Sequence, residues 1–221
     1  KELNKIKEQL KNSNSRLIVG YNRRFSKIFL KAKEIIPSTN LYSIIITVNS
    51  VGLEKKHWVN DPKIGGGRII GEVCHFIDLI IFLTGDLVNS VSAISIDEKN
   101  NLLNTLTVNL KMHNGSIASI NYFSNGNNLV KKEKVQIFSS GSIIEIDDNV
   151  SLKVIDKKIK KYNYKGSGKG YNELVETFFK SIVKNKIPPI SLKELFNSSE
   201  TTFAIEKSIK ENRNIKINEY S

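Results

Sequence analysis

From Val88 to Tyr164 the chain keeps a period of two. Val88–Ile96, Leu103–Met112, Ser116–Phe123, Lys134–Phe138, Ser142–Ile146, Val150–Ile155 and Ile159–Tyr164 each read as a strand, with short polar segments between them. Side chains that alternate in this way face opposite sides of a sheet, so one face is apolar and must be covered. Consecutive strands joined by tight turns pair antiparallel, and Asn114-Gly115 is such a turn, read as a two-residue hairpin. An earlier run, Leu41–Val51, is dense in β-branched residues and supplies a further strand. The pattern therefore predicts an α+β fold: an open, largely antiparallel sheet with helices packed on one face. The other face needs a cover too, such as a sister subunit.

The helices lie on either side of that run. Lys1–Lys11 carries Leu3, Ile6 and Leu10 on one face, and Arg16–Tyr21 reads as a short buried strand. A helix runs from Ser26 to Ile36 and stops at Pro37. Near the end, Asn172–Val183 is expected to bury Leu174, Val175, Phe178, Phe179, Ile182 and Val183. Ser191-Leu192-Lys193-Glu194 is a capping box that opens a helix to about Lys210, and Asn214–Ile217 returns as a last strand. Gly166-Ser167-Gly168-Lys169-Gly170 lacks the spacing of a phosphate loop and reads as a linker.

Ahead of the strand run stands Gly65-Gly66-Gly67 followed by an apolar helix closed by Gly85. Glycines at that position permit positive φ and close backbone approach, and the first amides of the helix can receive an anion. Glu72, His75 and Asp78 interrupt the apolar surface at intervals of three, which puts them on neighbouring rows of one helix face. A buried charge needs a partner or a cleft, so chemistry is expected here; the alternative is a satisfied core histidine between two surface acids. Arg23-Arg24 leaves the first strand and can grip a carboxylate or phosphate, or pair with acids of the protein itself. Residues 52–64 form a loop holding His57, Trp58, Asn60, Asp61 and Pro62, with Trp58 either a packing anchor or a ring on which substrate stacks.

Composition narrows the classes. With 221 residues, 39% hydrophobic and 25% charged, the chain suits one large domain or one domain with a piece of another. The single cysteine, Cys74, excludes an intrachain disulfide and a cysteine-rich zinc site. No run of eighteen apolar residues and no signal peptide is present, so a cytoplasmic location away from membranes is expected. The net charge of +12 is spread along the chain without an aromatic-laced basic stripe, which argues against nucleic acid and suits acidic small molecules.

Several segments, kept in order over nearly the whole chain, carry a resemblance. They are Val19-Gly20-Tyr21-Asn22-Arg23-Arg24-Phe25, then Trp58, Asp61-Pro62 and Gly65-Gly66-Gly67, then His75-Phe76-Ile77-Asp78 with Gly85. The ending adds Gly170-Tyr171, Glu173-Leu174, Phe178, Pro188, Ser191, Thr202, Ala204-Ile205 and Ser208. Together they resemble the glucose–fructose oxidoreductase, inositol dehydrogenase and MocA (Gfo/Idh/MocA) superfamily of NAD(P)-dependent sugar oxidoreductases. The resemblance implies a C-terminal domain of the type found in glyceraldehyde-3-phosphate dehydrogenase-like proteins. It implies that residues 1–20 are the last helix and strand of a Rossmann domain, and that 21–221 form a substrate-binding and oligomerisation domain. NAD or NADP would be held mainly by the part that precedes Lys1, since no G-x-G-x-x-G and no Glu-Lys-Pro occurs here. This chain alone would then be inactive.

Carried over residue by residue, the resemblance makes His75 the proton-transfer residue, with Asp78 orienting or packing the helix. Relatives often place an aspartate one turn before that histidine; this chain has Gly71, with Glu72 adjacent as a substitute. Arg23, Arg24, His57, Trp58 and Asn60 are the expected substrate contacts. The implied function is the substrate-binding half of an oxidoreductase acting on a hydroxyl of a sugar, cyclitol or sugar acid, as a homo-oligomer through the sheet face. The alternatives are a non-catalytic binding or oligomerisation module of the same fold, and a basic nucleic-acid-binding domain.

Overall fold

The computed structural model describes residues 2–36, 41–52, 54, 57–61, 64–96, 103–164 and 168–217. Among the described residues the α-helices are α1 (Glu2–Lys11), α2 (Lys27–Ile35), α3 (Cys74–Thr84), α4 (Tyr171–Val183) and α5 (Leu192–Glu211). The strands are β1 (Ser43–Asn49), β2 (Val88–Ser95), β3 (Leu106–Met112), β4 (Ile117–Phe123), β5 (Glu133–Ser139), β6 (Ser142–Asp147), β7 (Ser151–Ile155), β8 (Ile159–Asn163) and β9 (Ile215–Lys216). Among the described residues they form one sheet in the order β8-β7-β6-β5-β1-β4-β3-β2-β9. Only β1 and β4 run parallel; every other neighbouring pair is antiparallel. The largely antiparallel sheet read from the period-two pattern is what forms.

Alternation decides which face is covered. Ile44, Ile46 and Val48 of β1, Val108 and Leu110 of β3, Ile120 and Tyr122 of β4, and Val135 and Ile137 of β5 are buried in one core with α2, α3 and α5. Their neighbours in sequence, such as Ile45, Ile117 and Phe123, face outward and stay partly exposed. At the centre of the covered face, Phe76, Ile77, Leu79, Ile80, Ile81 and Leu83 of α3 are all at most 1% exposed. Burying each such side chain contributes roughly 1.5–3 kcal/mol, so α3 fastens the layers together. Gly85 closes it at φ 70°, its amide bonding to the Ile81 carbonyl, while Lys33 donates to the Leu83 carbonyl. The capping box at Ser191 and Glu194 opens α5 as read, and β9 returns to pair with β2.

Some expectations are corrected. Arg16–Tyr21 is not a strand: it runs outside any ladder among the described residues and lies half-buried against Leu174, Ile190 and Leu195. The Asn114-Gly115 hairpin is a three-residue loop, closed by the Met112 amide on the Ser116 carbonyl with Gly115 at φ 94°. In α4 only Leu174 and Ser181 are buried, while Val175, Phe179, Ile182 and Val183 are exposed, because α4 meets the protein along one narrow side. Gly166 and Ser167 of the expected linker, and Pro62, lie outside the described residues. Gly170 does more than link: a Cβ there would meet the Asn22 carbonyl oxygen at 2.3 Å, so only glycine lets α4 start against the Arg23 turn.

Candidate active site

The glycine run does what its freedom allows. Gly66 and Gly67 take φ of 65° and 82°, and Gly65 sits so close to Val59 that a Cβ would lie 2.4 Å from its Cα. This turn delivers the chain into a helix that is wound as a π-helix over Ile69–Val73 before α3 continues. A π segment adds one residue to the turn and rotates the rest of the helix, and such segments recur at functional sites. Glu72, His75 and Asp78 therefore reach three different surroundings rather than one. The Arg68 amide donates to Asn104 Oδ1 at 3.0 Å, so protein already occupies that amide at the helix start.

Glu72 belongs to a charged cluster. Arg68 Nη1 donates to its carboxylate and, at 2.9 Å, to the Tyr122 hydroxyl; Lys132 Nζ lies 3.4 Å from its other oxygen. Burial pushes Glu72 up, but Tyr122, Lys132 and Arg68 together hold it below the usual carboxylate range. Glu72 thus stays charged and engaged with cations, and His75 Nδ1 is buried without a hydrogen-bond partner among the described residues.

Around His75 opens a cleft of about 380 Å³, lined by Val19, Gly20, Tyr21, Ile70, Gly71, Cys74, Ser199, Thr202 and Phe203 besides His75 itself. The Tyr21 ring meets the imidazole edge-on at 5.8 Å. Burial depresses the His75 pKa to about 4, with Arg23 and Lys169 adding to the fall and Glu72 and Glu133 opposing it. At neutral pH the ring is therefore uncharged and able to accept a proton. Burial also raises the Cys74 thiol to about 12, which leaves it inert. A Cβ on either Gly20 or Gly71 would meet nothing within 4 Å, so the backbone is bare at both places.

Asp78, one turn further on, is 0% exposed and held by Arg24 through two hydrogen bonds of 2.6 and 2.9 Å. The third nitrogen of that guanidinium reaches Glu194 on α5 at 2.8 Å. Burial pushes the Asp78 carboxyl up to about 6 against the pull of Arg24. The neighbouring Arg23 makes two hydrogen bonds of 2.8 and 2.9 Å to buried Glu133 and stacks over the Phe76 ring. The expected substrate grips Arg23 and Arg24 are thus committed to acids of the protein itself. A guanidinium buried beside a carboxylate satisfies both desolvated charges.

His57 and Trp58 of the 52–64 loop stand apart from the cleft. His57 Nδ1 accepts from the Val59 amide at 3.3 Å and caps a short 3-10 turn, Trp58–Asn60. Trp58 is 60% exposed with His57 stacked beside it, and neither lines the His75 cleft. Trp58 is therefore no packing anchor here, and the side chain of Asn60 lies outside the described set. Sequence reasoning missed Tyr21, Arg68, Tyr122, Glu133 and Lys169. Glu133 lies 110 positions from Arg23, and only the sheet brings them together, so no local signal marked it. Among the described residues no cluster of His, Cys, Asp and Glu could hold a metal, and no helix is long and apolar enough to cross a membrane.

Comparison with known proteins bears on this geometry. A family profile described as the GFO/IDH/MocA C-terminal domain matches residues 29–141. The chain is 22% identical to the myo-inositol 2-dehydrogenase of Thermotoga maritima, over 99% of this chain and 69% of that enzyme. Levoglucosan dehydrogenase in complex with NADH and levoglucosan is similar in structure, with TM-score 0.85 at 16% identity, over 99% of this chain and 70% of that one. An aldose–aldose oxidoreductase from Caulobacter crescentus, complexed with glycerol, gives TM-score 0.82 at 13% identity, over 97% and 68% of the two chains. The structural likenesses carry the fold, and the profile, which takes in more than half of the sequence, carries the family. On that ground the chain belongs to the GFO/IDH/MocA family through its C-terminal domain.

Proposed function

We propose that this chain is the substrate-binding part of a nicotinamide-dependent oxidoreductase acting on a hydroxyl of a sugar, cyclitol or sugar acid, with His75 taking the hydroxyl proton. The observation that carries the reading is an uncharged, half-buried imidazole on a bare-backbone cleft, with Nδ1 lacking a partner among the described residues. A ring kept neutral at working pH can accept a proton as a hydroxyl is oxidised. The relatives named above, among them a myo-inositol dehydrogenase and an NADH-bound levoglucosan dehydrogenase, support sugar-like substrates and NAD(H).

The cleft suits the nicotinamide end of such a cofactor: it is mostly apolar, and Gly20 and Gly71 let a flat ring approach the backbone. Bound there, the cofactor would supply the hydride acceptor. The described residues include no glycine-rich phosphate turn, so the rest of the cofactor would be held elsewhere. Residues 1–20 then belong to a Rossmann domain and 21–221 to the substrate domain. In favour, α1 buries no side chain and Arg16–Tyr21 has no strand partner among the described residues. Asp78 acts in this reading by fixing α3 through Arg24, which keeps the His75 ring in place.

Gly71 favours the second reading, a non-catalytic module, because it stands where an aspartate would be expected and the adjacent Glu72 is tied to Arg68 and Lys132. The two part on one experiment. His75→Ala in the intact protein, assayed with NAD+ and NADP+ over a panel of sugars and cyclitols, is expected to lower turnover about 10²-fold while cofactor binding holds. Turnover close to wild type would return His75 to the core.

A further inference from the structure

The covered face of the sheet extends past the end of α2. Beyond Ile35, the last residue of that helix, strands β5 to β8 bound a cavity of about 580 Å³. It shares no lining residue with the His75 cleft. Its floor is a cross-strand row: Ile137 of β5 stands opposite Ile144 of β6, which stands opposite Val154 of β7. All three are buried. Ile35 and Ile36 at the end of α2 line it too, as does Tyr162 of β8. A cavity of this size, with a mostly apolar floor and a few polar groups beside it, is the usual form of a small-molecule site.

The row ends on a charge. Val154 pairs with Lys160 on the edge strand β8, and residues directly opposite across a ladder project to the same face. Lys160 therefore stands on the apolar side of the sheet while staying exposed, as a lysine does when its stem follows apolar surface and its ammonium reaches water. Lys157 and Lys158, between β7 and β8, line the same cavity, and so do Ser140 and Ser142, where β5 turns into β6. Asp156 is the only acid among the described lining residues. None of the three lysines makes an ion pair or a side-chain hydrogen bond among the described residues. An inward lysine on an edge strand also deters pairing with another chain. That role accounts for Lys160, but not for the cavity or for the two further lysines that line it.

We propose that this cavity binds a small amphiphilic carboxylate, with its apolar chain on the Ile137–Ile144–Val154 row and its carboxylate at the lysines. Three ammonium groups against one acid leave the rim cationic, and an anion with a short apolar tail answers the charge and the floor together. A neutral apolar molecule leaves the lysines unanswered, and a small hydrophilic anion leaves the floor in water. The site stands apart from His75, so its occupancy does not depend on the oxidoreductase reading.

The test titrates the full chain by calorimetry with octanoate, 1-octanol, butyrate and octylammonium, each below its aggregation limit, and follows the protein by NMR. Octanoate is expected to bind about ten-fold or more tightly than each of the other three. It should shift the amides of Ile144, Val154 and Lys160 and leave the His75 imidazole resonances in place. Lys157→Met, Lys158→Met and Lys160→Met combined should bring octanoate down to the level of octanol; all three side chains are exposed, so the fold is kept. Ser142→Trp, which fills the cavity from its edge, should weaken octanoate and octanol alike. Octanol or octylammonium binding as tightly as octanoate, no saturable octanoate binding at millimolar concentration, or a preference that survives the triple substitution overturns the proposal. So do shifts confined to the His75 cleft, which would place the carboxylate there. Attachment of the chain to phosphatidylglycerol vesicles without any binding of free octanoate overturns it too, and would assign the lysines to a membrane surface.

Discussion

His75 and Asp78 sit one turn apart on the same buried helix, and their surroundings differ in kind. Asp78 is wholly enclosed and matched by Arg24 through a bidentate pair, with Glu194 taking the remaining nitrogen. His75 is half-buried on a cleft, and its Nδ1 has no partner among the described residues. Both are polar groups that a core would reject if unpaired. The protein answers one with a counter-charge and the other by keeping it neutral. A polar residue on an apolar helix is thus ambiguous until its partner is known: one that is fully answered stabilises, and one left open is available for chemistry.

The largest effect should come from breaking the answered side. Asp78→Ala leaves Arg24 buried with Glu194 alone and is expected to cost about 3–5 kcal/mol in urea unfolding. An apolar swap of both partners, Arg24→Met with Asp78→Leu, should recover most of that loss. If Asp78→Ala costs under about 1 kcal/mol, water or Glu194 satisfies Arg24 and the contrast fails.

Proton linkage gives the next effect, with opposite signs at the two residues. His75 takes its proton near 6.5 when unfolded and near 4 when folded. Below pH 6.5 the unfolded chain binds more protons, so stability falls on acidification until about pH 4, by up to about 3 kcal/mol. Asp78 is raised from 3.8 to about 6, so between those values the folded state holds the extra proton and acidification favours folding. The quantity to measure is the difference in unfolding free energy between wild type and His75→Gln against pH. A difference that stays flat from neutral to pH 4 would show that His75 is not held neutral by its surroundings.

The smallest effect sharpens the comparison by giving His75 the partner that Asp78 already has. A Cβ at Gly71 meets nothing within 4 Å, and the residue lines the same cleft. Gly71→Asp should raise the His75 pKa by about one unit, read from the imidazole resonances in an NMR titration. An unchanged value would mean that the π segment turns residue 71 away from the ring.

How much of this could be read beforehand depended on distance along the chain. The strands, the Gly85 stop and the Ser191 cap are local and were legible, because alternation and capping are written in adjacent residues. Arg16–Tyr21 has the composition of a strand, but a strand needs a neighbour with free backbone groups, and none stands beside it among the described residues. The apolar residues of α4 carry helical spacing, yet spacing says nothing about whether a partner covers them. His75 was found from its place on the helix; the charged groups around it were not.

The sequence by itself determined the α+β class, the widely paired sheet, the helix that fastens it and the histidine at its start. Periodicity and backbone freedom follow from neighbouring residues, so nothing distant is needed to read them. Tertiary structure alone decided which acid answers Arg23 and which answers Arg24, and that a π turn separates Glu72 from His75. Those outcomes depend on electrostatic contacts between residues as far as 170 positions apart, and only the folded sheet with its helices sets those distances.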